Sequence, residues 1–237
     1  YNATNVLWDG NEALWFLSPI EATHQLCRVA YRPELDGKAS HDLLPQVEVL
    51  TRGDHDINAV TIEAGRAVAD ICTISHPSEL FEIGLQDGAI RQITAINKPI
   101  LDHIRMGEVQ KRWVETTDGK RMLTWVILPP DFDPAKKYPT LLYCEGGPQS
   151  VVSQFWSYRW NFQLMAANGY IVVAPNRRGV PSFGQEWLDQ ISGDYSGQNI
   201  RDYLAAIDDV AREPWADRER MGCVGASYGG YSVYFLA

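Results

Sequence analysis

The run MGCVGASYG (221–229) constrains the fold more than any other stretch of the 237 residues. An apolar, strand-like segment enters Gly225-Ala226-Ser227-Tyr228-Gly229, and an apolar segment suited to a buried helix, YGGYSVYFLA (228–237), leaves it. A serine at a sharp strand-to-helix turn is held in a strained backbone conformation with its hydroxyl above the sheet. The positions two before and two after it must be small, because their side chains would collide across the turn. The helix that starts there points free N–H groups and a positive dipole at whatever sits beside Ser227. Ser227 is therefore a candidate nucleophile, against the plainer reading of a structural serine in a glycine-rich turn.

The residues leading up to this turn alternate strands and helices. KRWVETTDGKRMLTWVILPPDF (111–132) predicts a hairpin turning at Asp118-Gly119. TLLYCEGG, YIVVAPNRRG and RMGCVGAS predict three buried strands. FWSYRWNFQLMAANG (155–169) predicts a helix with a glycine stop. SGQNIRDYLAAIDDVARE (196–213) predicts a second helix with a serine cap, its apolar face formed by Ile200, Tyr203, Leu204, Ile207 and Val210. Continuous Val/Ile/Leu runs joined by helices imply a mostly parallel sheet covered on both faces.

The first hundred residues have a different organisation. ALWFLSP, QLCRVAYR and QVEVLTRGD are short strand-like runs, and AVADICTIS, ELFEIGLQDG and IRQITAIN repeat the pattern. Leu26 corresponds to Leu80 and Thr51 to Thr94, the two offsets differing by the polar insertion PELDGKASHDL (33–43). Meanders repeating every 40 to 50 residues or so are the signature of β-propeller blades. Two blades cannot close a ring, which takes about four to eight. The expectation is residues 1–105 as the C-terminal part of a β-propeller and 106–237 as the N-terminal part of an α/β-hydrolase catalytic domain.

Composition narrows the partners. Lys and Arg number 21 against 30 Asp and Glu, with neither half basic, so no nucleic-acid or anionic membrane surface is expected. No apolar run approaches the roughly 20 residues of a spanning helix, and YNATNVLWDG lacks the basic and apolar regions of a signal peptide. Cys27, Cys72, Cys144 and Cys223 lie far apart, which predicts no metal site, no cofactor and no disulfide framework. A soluble protein is expected, in either periplasm or cytoplasm.

A serine attacking a carbonyl needs donors for the developing oxyanion. The backbone N–H of Tyr228 is one candidate, and the N–H of Gly146, in the glycine-rich CEGGPQS (144–150), is the second. Glu145 is a candidate for binding a substrate amino group, against a structural role in its loop. Arg177 and Arg178 follow a buried strand at its carboxyl end, where ligands of open α/β sheets gather, and either bracing the loop or touching substrate would place them there. Trp156, Tyr158 and Trp160 are read as core aromatics. The histidines, His24, His41, His55, His76 and His103, are read as surface or turn residues.

EGGPQS, NRRGVPSFGQEW, GDYSGQNIRDYLAAIDD and GASYGGY, in this order and spacing, resemble the hydrolase domain of the prolyl oligopeptidase family of serine peptidases. The branch they resemble most is that of dipeptidyl peptidases and acylaminoacyl peptidases. The resemblance implies a propeller capping an α/β-hydrolase domain and admitting only short peptides. It implies a serine exopeptidase that releases dipeptides or acyl-amino acids through an acyl-enzyme on Ser227. By position it gives Tyr228 an oxyanion N–H and a wall of the S1 pocket. Relatives often carry Tyr or His where Glu145 stands, and an ionised carboxylate cannot donate to an oxyanion, so Glu145 is expected to point away. An esterase on the same turn and an inert peptide-binding shell are the alternatives.

No Asp or His follows Ser227, although in α/β-hydrolases both come after the nucleophile in chain order. The expectation is an internal segment whose partners are short peptides and the remainder of its own polypeptide, which would supply further blades and the triad Asp and His. A homodimer is a further assembly compatible with the resemblance.

Overall fold

A computed structural model describes residues 2–33 and 46–237. Most of the predicted insertion, and His41 with it, lies outside the described residues. The chain builds two sheets, and turn residues Ala22 and Ile74 of the first reach the core of the second. The first holds β1 (Thr4–Asp9), β2 (Ala13–Ile20), β3 (Thr23–Ala30), β4 (Val47–Val49), β5 (Asp56–Glu63), β6 (Arg66–Thr73), β7 (His76–Ile83) and β8 (Ile90–Gln92). β1-β2-β3-β4 and β5-β6-β7-β8 are two antiparallel meanders, joined by one parallel pairing of His24 with Asp56.

The correspondence seen in sequence is exact in bonding. Leu26 N–H donates to the Thr51 hydroxyl at 2.9 Å, and Leu80 N–H to the Thr94 hydroxyl at 2.8 Å. Thr51 N–H and Thr94 N–H return bonds to the carbonyls of Leu26 and Leu80. The threonine hydroxyls then donate to Gln25 and Glu79, which occupy equivalent places. Each meander has four strands where the sequence suggested three. The first strand of each, TNVLWD and DINAVTIE, lacks a continuous buried run, and in β1 the exposed side carries Thr4, Val6 and Trp8.

After α1 (Lys98–Leu101), the second sheet holds β9 (Val109–Glu115), β10 (Arg121–Ile127), β11 (Tyr138–Cys144), β12 (Ile171–Pro175) and β13 (Ala216–Gly225), in the order β13-β11-β12-β10-β9. The predicted hairpin is β9-β10, with Gly119 at φ 77° in its turn. The expectation of a mostly parallel sheet needs correction. Only β12-β11-β13 is parallel, while the hairpin joins antiparallel to β12, so the sheet is mixed.

Helices cover both faces of this sheet. α4 (Gln198–Ala211) packs Ile200, Tyr203, Ala206 and Val210 against Met122, Val126, Leu142 and Val173 on one face. α2 (Phe162–Ala167) packs Phe162 and Ala166 against Leu123, Trp125, Tyr143 and Val172 on the other. This in-out alternation along β10, β11 and β12 is the strand period of two. Three local expectations differ. α2 starts only at Phe162, because Asn161 caps it, accepting from Leu164 N–H. α4 takes Gly197 rather than Ser196 at its N-cap, the carboxylate of Asp194 filling the space where a Cβ would stand. Leu204 is exposed, its place on the buried face taken by Ala206.

Short α3 (Gln185–Asp189) and terminal α5 (Tyr228–Leu236) complete the element order. No helix among the described residues is long and apolar enough to cross a membrane. The two sheets are tied by polar contacts that also fix the loop after β11. Asp56, 2 % exposed, accepts from the Ser153 hydroxyl at 2.5 Å and from Gln154 N–H at 3.3 Å. Gln154 in turn accepts from Ile74 N–H, and Ser182 accepts from Ala22 N–H.

Candidate active site

The parallel strands β11, β12 and β13 end at one edge of the sheet, the edge where open α/β sheets bind ligands. Cys144, the last residue of β11, pairs with Gly225, the last of β13, so the loop from Glu145 starts where β13 turns. There Ser227 has φ 56° and ψ −125°, a conformation that costs a non-glycine residue of order 1–3 kcal/mol. It is exposed and stands at the N-cap of α5.

The flanking glycines show why the turn can exist. A Cβ on Gly225 would lie 2.6 Å from the Cys144 carbonyl oxygen and 2.7 Å from the Gly229 carbonyl. A Cβ on Gly229 would fall inside the same Cys144 carbonyl. β11, β13 and α5 therefore approach each other backbone to backbone, and no side chain larger than hydrogen fits between them.

Gly146 lies against this turn, since a Cβ placed on it would be 3.1 Å from the Ala226 carbonyl and 3.6 Å from Ser227 Cβ. The structure thus brings Ser227, Tyr228, Gly146 and Glu145 together. The first-turn N–H of Tyr228 has no intrahelical acceptor by position. Its ring is buried, stacked 5.6 Å from Tyr231, and its hydroxyl donates to Tyr195 carbonyl at 2.7 Å while accepting from Asn199. An open cleft lined by Pro148, Gln149, Ile191, Ser192, Gly193 and Tyr195 adjoins the loop.

The Glu145 carboxyl is half-buried beside Tyr143 and the Gly146 N–H. Burial raises its pKa, against the lowering effect of the Tyr143 hydroxyl, the Gly146 N–H and the Arg177 charge. Tyr143 is buried on the face that α2 covers, and burial followed by the Glu145 charge pushes its own pKa up. The Cys144 thiol, between the two, is pushed up to about 12 by burial and stays protonated at neutral pH.

Arg177 and Arg178 are both buried and spent on protein partners. Arg178 donates two bonds to Asp118 and two, from its backbone N–H and its Nε, to the buried carboxylate of Asp202, tying the hairpin to α4. Arg177 donates to the carbonyls of Pro148, Arg178 and Glu145 and to the Tyr203 hydroxyl. Asn176 exchanges two bonds with Val152, holding the far end of the same loop. Sequence reasoning missed Asn176, Tyr195, Asn199 and Tyr203, which meet the loop and the turn only through the tertiary fold; the run NRRG was the one local hint.

The described histidines sit in or just after the first sheet. His24 pairs with Asp56 at 3.1 Å, and His76 and His103 are exposed. His55 corrects the surface reading, since it is 8 % exposed, packed beside Gly53, and burial lowers its pKa. Among the described residues no histidine hydrogen-bonds Ser227, and no cluster of three or more His, Cys, Asp or Glu could hold a metal ion.

Residues 156–237, which include the turn, α4 and both arginines, match the model of the Prolyl oligopeptidase family. This is the family that the motifs around Ser227 resemble. Dipeptidyl-peptidase 5 of Porphyromonas gingivalis is 48 % identical over 100 % of the chain, which spans 33 % of that relative. Dipeptidyl-peptidase 5 of Porphyromonas endodontalis is 46 % identical over 95 % of the chain and 31 % of its own length. The solved acylaminoacyl peptidase of Pyrococcus horikoshii superposes with a TM-score of 0.81 at 26 % identity, covering 98 % of this chain and 34 % of that one. An acylaminoacyl peptidase in complex with Z-Gly-Gly-Phe-chloromethyl ketone gives 0.82, also at 26 % identity. The chain thus spans about a third of the length of the relatives it matches.

Proposed function

We propose that this chain carries the nucleophile and oxyanion site of a serine exopeptidase that releases dipeptides or acyl-amino acids from the N-termini of short peptides. The observation that carries this reading is Ser227 at φ 56°, between two glycines that pack against the Cys144 carbonyl, with Gly146 against the same turn. Ser227 Oγ attacks the scissile carbonyl carbon, the carbonyl oxygen becomes an oxyanion facing the Tyr228 N–H and, by taking the place of the Glu145 carboxyl, the Gly146 N–H, and the amine leaves with a proton. Water then hydrolyses the ester. The base and the aspartate that orients it are assigned to the part of the relatives' length that these residues do not span, since among the described histidines His24 pairs with Asp56, His55 is buried beside Gly53 at the first sheet, and His76 and His103 are exposed.

Residues 1–105 are assigned to two blades of a propeller and 106–237 to the hydrolase domain. The two meanders with one bonding pattern support the first assignment, and the switch to a mixed sheet with helices supports the second. Tyr228 is assigned to the S1 wall and Glu145 to the loop rather than to a substrate amine, because its carboxyl already faces Tyr143 and Gly146 N–H. The name of the Porphyromonas gingivalis relative favours dipeptide release.

Fluorophosphonate labelling of the full-length protein, followed by turnover of dipeptidyl amides, acyl-amino acid amides and simple esters, tests this reading. The expected outcome is labelling of the wild type, none of Ser227→Ala, and a drop in amide turnover of about 10⁴-fold or more in that variant. An unlabelled wild type, or a Ser227→Ala enzyme that still turns over, defeats the reading. Preference for simple esters over both amides favours the esterase alternative.

A further inference from the structure

Two adjacent arginines meet opposite electrostatic surroundings. Arg178 has Asp118 and Asp202 as counter-ions. Arg177 is 0 % exposed and forms no ion pair among the described residues. A buried guanidinium without a carboxylate partner is costly unless its N–H groups are bonded. Nε donates to the Tyr203 hydroxyl at 3.2 Å, Nη1 to the carbonyls of Pro148 at 2.7 Å and Arg178 at 2.9 Å, and Nη2 to the Glu145 carbonyl at 3.4 Å. The Tyr228 ring lies 4.9 Å from its centre, and the Tyr203 ring 5.7 Å.

The identity of these acceptors matters. The carbonyls of Glu145 and Pro148 bracket Gly146-Gly147, so the guanidinium closes the base of the loop. The Glu145 carbonyl and the Gly146 N–H belong to one conjugated peptide unit. A cation and the Tyr203 hydroxyl, 3.4 Å away, both donate to its oxygen end, and this polarisation strengthens the N–H as a donor at the other end. The second candidate donor, Tyr228 N–H, belongs to the residue whose ring rests on the same guanidinium.

We propose that Arg177, backed by Tyr203, is a positioning residue of the oxyanion site: it holds the Glu145–Pro148 loop against Tyr228 and polarises the Glu145–Gly146 amide toward the developing negative charge. The proposal rests on the reading of Ser227 as an acyl-forming nucleophile. It predicts an effect on the tetrahedral state that ground-state binding does not share.

The test uses the full-length protein as wild type, Arg177→Met, Arg177→Lys and Tyr203→Phe, with Ser227→Ala as the inert reference. Steady-state kinetics on a dipeptidyl amide are combined with binding of a peptide boronic acid, which forms a tetrahedral adduct on serine. Arg177→Met is expected to lower kcat by roughly 10- to 100-fold, less than the 10²–10³ reported for loss of a whole oxyanion donor, with KM held within about twofold. Boronate affinity falls by a similar factor. Arg177→Lys recovers part of the loss, because it keeps the charge but not the three-carbonyl fork.

A folded Arg177→Met enzyme with wild-type kcat, or one whose loss lies in KM alone, overturns the proposal. If that variant does not fold, Tyr203→Phe decides: unchanged kcat and boronate affinity there also overturn it. Wild-type protein that fluorophosphonate does not label defeats the underlying peptidase reading and this proposal with it. A labelled wild type, an inert Ser227→Ala and a fully active Arg177→Met defeat this proposal alone.

Discussion

Leu26 with Thr51 and Leu80 with Thr94 make the same bonds in two places, whereas the turn at Ser227 is built once. In the repeated sheet one position accepts either Gln25 or Glu79, because what matters there is an acceptor for the threonine hydroxyl. At the turn the requirement is the close approach of three backbones, and only glycine meets it at positions 225 and 229. The first region therefore tolerates chemical change at constant geometry. The second ties geometry to chemistry.

The glycines give the largest expected effect on this contrast. Gly229→Ala forces a methyl group into the Cys144 carbonyl. It should cost about 1–3 kcal/mol of stability by overpacking, and about 100-fold in turnover by displacing Ser227 from the oxyanion donors. Gly65→Ala, in the β5–β6 turn at φ 75° with open space around it, should cost about 1–2 kcal/mol through backbone strain and leave turnover unchanged. Thermal melts and kinetics of the two variants check this. Equal effects on turnover would break the contrast.

Much of this contrast was legible in the sequence. The 26/80 and 51/94 correspondences located residues that prove to be bonding equivalents, because a repeated backbone problem was solved with repeated letters. GASYG located the turn, because close packing leaves glycine as the only answer. The first strands of the two meanders, β1 and β5, were not legible, since a half-exposed strand such as TNVLWD has no continuous buried run. Nor was the Arg177–Tyr203 clamp, in which residues from β12's exit and α4 meet a loop from β11. The antiparallel half of the second sheet was hidden for a similar reason, as buried runs look alike in either direction.

A smaller effect separates the two meanders themselves. Burial alone would raise the Glu79 carboxyl, but bonds from Asn97 N–H, the Thr94 hydroxyl, Ile96 N–H and the Asn97 amide hold it at about 2, below its ordinary 4.5. A depressed pKa stabilises the fold above the unfolded value, and that stabilisation is lost as pH falls from about 4.5 through about 2. Gln25, in the equivalent place, takes up no proton. Glu79→Gln should therefore lower Tm at neutral pH and flatten its fall across this window, so that the two proteins converge as pH approaches about 2. An unchanged slope would place the acid sensitivity elsewhere.

The most direct measurement of the central claim is a crystal structure of the full-length protein after reaction with a fluorophosphonate. The account predicts phosphorus bonded to Ser227 Oγ, with the phosphonyl oxygen about 2.7–3.1 Å from the N–H nitrogens of both Gly146 and Tyr228. A phosphonyl oxygen turned away from these two amides, or an adduct on any other residue, would contradict it.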